Sequence, residues 1–383
     1  MKKGLLALAS GTFALGMAEF GMMGILPDAA MGFNVSIPAA GYFIAAYALG
    51  VCSGAPLLVL IARKRPLKQI LFALSLLIII GNLLTASAQI YPMMIVSRFL
   101  SGLPHGAFFG VGSIVAEKLA DNGKSAQAIA IMTAGMTIAN LIGIPIGTYI
   151  SHHFSWRLIF LAIACCGGIL FLLIKQWIPD ISPLQDTGLL GQFRFFKKPA
   201  PWLVLIATIL GNGGIFCWFS YISPLLTEVS GFSPDHLLFL MALAGLGMFF
   251  GNLTGGKLSD QFGPGLTAAV AQGIMCFALI GIFLFANNPV LSILLMVTCT
   301  FGLFSLSSPQ QLLLIKHAKG GEMLGAACVQ IAFNLGNATG AWLGGVPISA
   351  GYNYNYTTLP AIVMTAAGCT ALMLFWRKYE KVK

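Results

Sequence analysis

The chain has 383 residues, of which 58% are hydrophobic and only 8% charged, and its mean hydropathy is +0.89. That balance excludes a soluble globular domain and specifies a polytopic membrane protein. A formal charge of +10 would suit a nucleic-acid binder, but the cations are scattered over short connectors rather than gathered on one face. The lipid bilayer accounts for them, and no nucleic-acid partner is expected.

Apolar runs long enough to cross a bilayer predict twelve spans, at 5–26, 37–62, 68–88, 92–115, 126–150, 156–177, 201–225, 236–256, 265–286, 289–314, 323–346 and 357–376. Met1-Lys2-Lys3 and the run after it mimic a signal peptide, but the run is longer than such a core and many others follow, so it reads as span one. The longest connector separates two sets of six, giving a bundle at 1–178, a cytoplasmic linker at 179–200 and a bundle at 201–383. Within the linker, Leu189 to Lys198 is amphipathic enough to lie along the membrane surface.

Of the 21 lysines and arginines, only Arg157 would fall outside and only Arg98 within a span. The remaining nineteen (21 − 2) become cytoplasmic if both termini are inside, which satisfies the positive-inside rule. In a bacterium that means the inner membrane. The eight cysteines all fall inside apolar runs without a Cys-x-x-Cys pair, so free thiols and no metal site are expected. No nucleotide-binding or nucleophile motif is present, which argues against an enzyme and against any cofactor, and leaves an ion gradient as the energy source.

Sliding the chain along itself at one constant offset aligns Gly16 with Gly213, Pro27 with Pro224, Gly50 with Gly247, Gly54 with Gly251, and Pro92 with Pro289. It also aligns Asn140 with Asn337, Gly143 with Gly340, and Gly147 with Gly344. Turn and packing residues in register across five span pairs predict an all-α membrane protein of two parallel six-helix repeats, a plan that binds substrate between its halves. The repeat does not duplicate the charges. Glu19 falls opposite Phe216 and Arg98 opposite Leu295, so intramembrane ionisable groups are confined to the first half.

Span four carries Arg98 roughly 9 Å inside its apolar run. Arg98, Gly102, His105 and Gly106 share one helix face, so that face must look at protein or a wet cavity. The bland alternatives are a snorkelling Arg98 and a packing His105. Glu19 is the sole charge in span one and is level with Arg98 if that helix ends outside. Thr133, Thr137 and Asn140 line span five as Gln330, Asn334 and Asn337 line span eleven, either bonding neighbouring helices or lining a cavity. Asn212, Trp218 and Tyr221 on span seven, and Ser305 to Gln311 on span ten, add polar and aromatic groups that suit sugars and amphipathic drugs alike. Small residues at four-residue spacing allow close helix contact, and Pro104, Pro145 and Pro309 interrupt spans.

Three segments resemble the major facilitator superfamily, and within it the drug:proton antiporter group with twelve spans, in its arabinose-efflux-permease-like branch. They are Arg98 to Gly112, Ala139 to Thr148 with Phe154-Ser155-Trp156-Arg157, and Gly214 to Pro224. The resemblance implies a rocker-switch transporter with Arg98 and Glu19 in proton coupling, and an antiporter motif at Gly143, Pro145 and Gly147, with Ile144 where the motif has glycine. It also implies a cytoplasmic gating motif at Gly256 to Gly263, including Asp260 and Gly263. The first-half counterpart departs, with Arg63 in the aspartate position and Pro66 in that of the last glycine. The reading is a proton-coupled efflux antiporter for a small solute such as a sugar or amphipathic drug, acting as a monomer, with Glu19, Arg98 and His105 handling the proton. The alternatives are a proton-coupled importer or uniporter and, remotely, a receptor on a transporter scaffold.

Overall fold

The computed structural model describes residues 2–35 and 37–381, and among them the chain is helical with no strand. The long helices are span one, Lys2–Gly32; two, Ile37–Ala62; three, Leu67–Ala86; four, Tyr91–Lys118; five, Ser125–His153; and six, Arg157–Trp177. The second set is span seven, Pro199–Phe219; eight, Leu237–Phe262; nine, Pro264–Phe285; ten, Pro289–His317; eleven, Glu322–Ser349; and twelve, Tyr354–Glu380. Eleven of these are long and apolar enough to cross a bilayer. Span eleven has the length, at 28 residues, but its amides and glycines leave it without a sufficiently apolar stretch. Lys383, counted among the cytoplasmic cations, lies outside the described residues.

Three boundaries differ most from expectation, among them the end of span eight, which runs past 256 to Phe262. Span one continues past Leu26, through Pro27, to Gly32. Span seven stops at Phe219, followed by a turn at Tyr221 and a π turn at Leu225–Val229. Pro224 has no N–H for the Ser220 carbonyl, which favours a break here, whereas the same loss at Pro27 is accommodated within span one.

Proline has the same effect inside spans five and ten. Span five passes through a π turn, Ala139–Gly143, just ahead of Pro145. Span ten breaks at Leu306, just ahead of Pro309. Pro104, by contrast, does not interrupt span four, which runs unbroken through it, while Pro92, Pro199, Pro264 and Pro289 stand in first turns, and the Asn288 side chain accepts from Val290 N and Leu291 N.

The chain forms two compact units, Met1–Phe195 with Ala318–Ile331, and Phe196–His317 with Ala332–Lys383. In the first, spans two and four meet backbone to backbone. A Cβ at Gly50 or Gly54 would strike the Phe99 or Leu103 carbonyl, and one at Gly102 the Tyr47 carbonyl. Spans one and five close in the same way, with Gly135 against the Ala9 carbonyl and Thr12 Oγ1 donating to Met132 O at 2.5 Å. The second unit repeats both seams. Gly251 and Gly255 of span eight face the backbone of Phe301 and Ser305 on span ten, and Gly340 and Gly344 of span eleven face that of Gly213 and Cys217 on span seven. Gly50 and Gly54, with their aligned mates Gly247 and Gly251, therefore occupy corresponding seams, where a side chain would force the helices apart.

The linker is ordered against the first unit. Asp186 pairs with Arg63 Nε at 3.0 Å and Lys64 Nζ at 3.6 Å, and Asp180 with Lys68 Nζ at 3.3 Å. Thr187 Oγ1 and Gln192 Nε2 both donate to the Gly320 carbonyl, at 2.6 and 3.0 Å. The basic loop that lacks its own aspartate thus receives carboxylates from the linker.

Candidate coupling site

The seam between spans two and four positions the site. Because Gly102 rests on the Tyr47 carbonyl, the Tyr47 ring falls between Arg98, one turn before that glycine, and His105, nearly one turn after it. The Arg98 guanidinium lies 4.4 Å from the Tyr47 ring centroid and 5.7 Å from that of Phe160. The Tyr47 hydroxyl is 2.9 Å from His105 Nδ1, and the imidazole stacks on Phe109 with centroids 5.1 Å apart. Span one closes the third side with Leu15, Ala18 and Glu19, which share a face. Tyr47 Oη donates to the Leu15 carbonyl at 3.4 Å, and Arg98 Nη1 to the Ala18 carbonyl at 2.9 Å.

Arg98 and His105 are wholly buried in protein and Glu19 is 8% exposed, so Arg98 does not snorkel. The expected direct pair of Glu19 with Arg98 is not formed. Arg98 spends Nη1 on Ala18 and Nε on the Phe43 carbonyl at 3.2 Å, while the nearest cationic partner of Glu19 is His105, with Nε2 3.7 Å from Oε2. The reason lies in the helix geometry. Arg98 points at the backbone of spans one and two, and backbone carbonyls reach it before the carboxylate does.

Glu19 Oε2, Arg98 Nη2 and His105 Nε2 are all buried without a hydrogen-bond partner. Orphaned buried polar atoms are costly and uncommon, and here one comes from each of three neighbouring ionisable residues. The arrangement leaves an acceptor, a fixed cation and an imidazole nitrogen free for a proton or a polar solute.

The other sequence-predicted residues are distributed as follows. The Thr137 hydroxyl is spent on its own helix, donating to Ala134 O at 2.9 Å. Asn140 lies half-buried within the π turn of span five, next to Gly143, which abuts the Met17 side chain. Gly147 is less confined, with Ile159 Cδ1 3.4 Å from the position of a Cβ, and Gly106 abuts Ala55. Gln330 is buried in the segment that belongs to the first unit. In the second unit Asn212, Trp218 and Asn334 are buried and Asn337 is half-buried. Trp218 Nε1 and Asn337 Oδ1 have no partner, like Ser308 Oγ and Gln310 Nε2. The Tyr221 hydroxyl is committed to the Ala341 carbonyl at 2.9 Å, a helix-packing bond. Asp260 is half-buried, and Gly263 turns the chain into span nine with φ +91°.

Sequence reasoning missed Tyr47, which counts as apolar in composition. Its signal was the spacing Tyr47, Gly50, Gly54 opposite Gly102 and Gly106. It also missed a cluster past the expected end of span one, where Asp28 accepts from Ser151 Oγ and lies 3.1 Å from His152 Nδ1.

Membrane-length helices in two repeats, the first of which encloses a buried ionisable cluster, point to a multi-pass transporter rather than an enzyme. Residues 8–327 match the family model described as Major Facilitator Superfamily. The chain is 47% identical to "Putative transporter AraJ" of Escherichia coli K12 across 98% of this chain and 96% of that protein. It is 37% identical to "Inner membrane transport protein YdhP" of the same organism, covering 97% and 95%. The fold superposes on the crystal structure of the transporter FucP in the outward conformation with a TM-score of 0.78 at 16% identity, covering 97% and 98%. The chain belongs to the major facilitator superfamily.

Proposed function

We propose that this transporter is a proton-coupled exporter of a small neutral or weakly polar solute in a bacterial inner membrane, with both termini cytoplasmic. The single observation that carries the reading is the cluster of Glu19, His105, Tyr47 and Arg98 in the interior of the first unit. An intramembrane carboxylate beside an imidazole and a fixed cation is retained at a cost that proton handling explains. Relatives further away bear the names "Chloramphenicol resistance protein" (Streptomyces lividans, 27% identical) and "Probable sugar efflux transporter" (Helicobacter pylori, 26%), which supports export of a sugar or amphipathic drug.

In this reading Glu19 is the group that takes and releases the proton. Arg98 is tied to backbone carbonyls and acts as a constant positive field rather than a moving partner. His105 and Tyr47 follow the state of Glu19. A tyrosine hydroxyl has one proton to give. With Glu19 ionised, His105 presents Nε2–H to it, and Tyr47 donates to Nδ1. With Glu19 protonated, the carboxyl donates to Nε2, Nδ1–H donates to Tyr47, and the hydroxyl turns to the Leu15 carbonyl. Either exchange requires the 3.7 Å gap between Glu19 Oε2 and His105 Nε2 to close to hydrogen-bond distance, a movement that would accompany the change of protonation. In proteoliposomes, Glu19→Gln should keep solute exchange down its gradient and lose accumulation against it. Wild-type accumulation by that variant would overturn the reading.

A further inference from the structure

The second unit carries an open groove of about 540 Å³ where the start of span seven meets the end of span twelve. Its floor is Trp202, Leu203, Ile206 and Leu374, and its rim is Arg377 and Lys378. The floor is apolar and presented outward: Trp202 is 47% and Leu374 53% exposed. The Trp202 ring is fixed in place, donating Nε1 to the Phe196 carbonyl at 2.7 Å and packing on the Phe196 ring at 5.3 Å.

The rim is cationic without compensation. Arg377 and Lys378 are exposed, and among the described residues neither has a carboxylate within ion-pair distance. The one acid in the same turn, Glu380, is already spent. Its two oxygens accept from Gly265 N and Leu266 N, each at 3.1 Å, at the start of span nine. Lys197 and Lys198, also exposed, precede the groove residue Pro199 in the chain. Lys381 adds a fifth cation, its Nζ 5.3 Å from the Trp376 ring. Two cations, Arg377 and Lys378, and the interfacial aromatics Trp202 and Tyr379 therefore line one apolar slot at a helix end, with Lys197, Lys198 and Lys381 close by in the chain. That combination matches a molecule with a hydrocarbon tail and an anionic head.

We infer that this groove is a binding site for an anionic phospholipid, whose acyl chain lies along Trp202, Ile206 and Leu374 and whose phosphate is held by Arg377 and Lys378. Charge complementarity selects the occupant. A zwitterionic lipid would fill the apolar floor equally well but would gain little from the two rim cations Arg377 and Lys378, and a free phosphate would leave the floor uncovered. The site is independent of the coupling cluster and of the direction of transport.

The test uses the full-length protein in detergent, with palmitoyl-oleoyl phosphatidylglycerol, phosphatidylcholine of the same chains, or inorganic phosphate added. Native mass spectrometry and thermal unfolding are the readouts. Phosphatidylglycerol should be retained on the monomer and raise the unfolding temperature more than phosphatidylcholine or phosphate, and its advantage should shrink at high salt. The double variant Arg377→Gln, Lys378→Gln should weaken phosphatidylglycerol binding by about thirtyfold, which corresponds to about 1 kcal/mol for each of the two cations, while Lys175→Gln on span six should leave it unchanged. Equal effects of the two lipids, equal stabilisation by phosphate, or an unaltered preference in the double variant would overturn the assignment. So would a dimer that the double variant abolishes, since the groove would then hold a second copy. The salt dependence of the wild type keeps the proposal testable if the double variant misfolds.

Discussion

The polar chemistry of the first unit turns on which group holds which. Arg98 has been placed by backbone carbonyls and two aromatic faces, a role that needs a planar, multiply donating head. Arg98→Lys should therefore not be conservative: a single ammonium cannot serve Ala18, Phe43 and the Tyr47 face together, and coupled transport should fall by about tenfold or more in initial-rate assays. Tyr47→Phe keeps the ring under Arg98 and removes only the hydroxyl. It should lower the coupled rate by about fivefold, the worth of one buried hydrogen bond, and change the pH profile of transport, whereas a tyrosine that only fills space would leave the profile in place. The sequence singled out Arg98 and His105 because polar groups on a glycine-lined face within an apolar run are costly, although a packing histidine fitted the same pattern. It did not reveal that carbonyls, not Glu19, satisfy Arg98, since backbone acceptors carry no residue signature. Tyr47 was hidden for a similar reason, its hydroxyl being invisible in a hydropathy pattern.

At the scale of the helices, the seams are set by glycine and the breaks by proline. Gly54→Val would push span two off the Leu103 carbonyl, and overpacking of that kind should destabilise the protein by about 1–3 kcal/mol, read as a lower unfolding temperature in detergent. The internal repeat already pointed to these seams, because Gly50, Gly54, Gly247 and Gly251 recur in register. The linker was less legible. Its amphipathic stretch could be seen, but its contacts could not, because Asp186 meets Arg63 across more than a hundred residues of chain. That carboxylate accepts from the Gly188 amide and from Arg63, and these bonds hold it below the ordinary aspartate range. A depressed carboxylate contributes from neutral pH down to its unfolded-state value, and the contribution is lost as pH falls further through its folded value. Hydrogen exchange at the Gly188 amide, which donates to Asp186, corrected for intrinsic rates, should thus stay slow from pH 7 to about pH 4 and rise below it. Asp186→Asn should raise exchange at that amide throughout. Unchanged exchange in that variant would mean the strap depends on Thr187 and Gln192 alone.

For the molecule as a whole, two repeats share one set of seams while only one carries intramembrane charge. Composition, the distribution of lysine and arginine and the repeat were enough to read the fold class, because a bilayer leaves a chain few ways to satisfy its backbone. The solute is not written in the same terms, since amides and hydroxyls such as Asn212, Gln310 and Asn337 can serve many ligands. The measurement closest to the central claim is proton release from weakly buffered, purified protein on addition of L-arabinose, chloramphenicol or ethidium, with Glu19→Gln alongside. The account predicts that a solute which binds the wild type displaces a proton, and that the variant binds the same solute without release. Release of the same size from Glu19→Gln would contradict it, and would move the coupling group elsewhere in the chain.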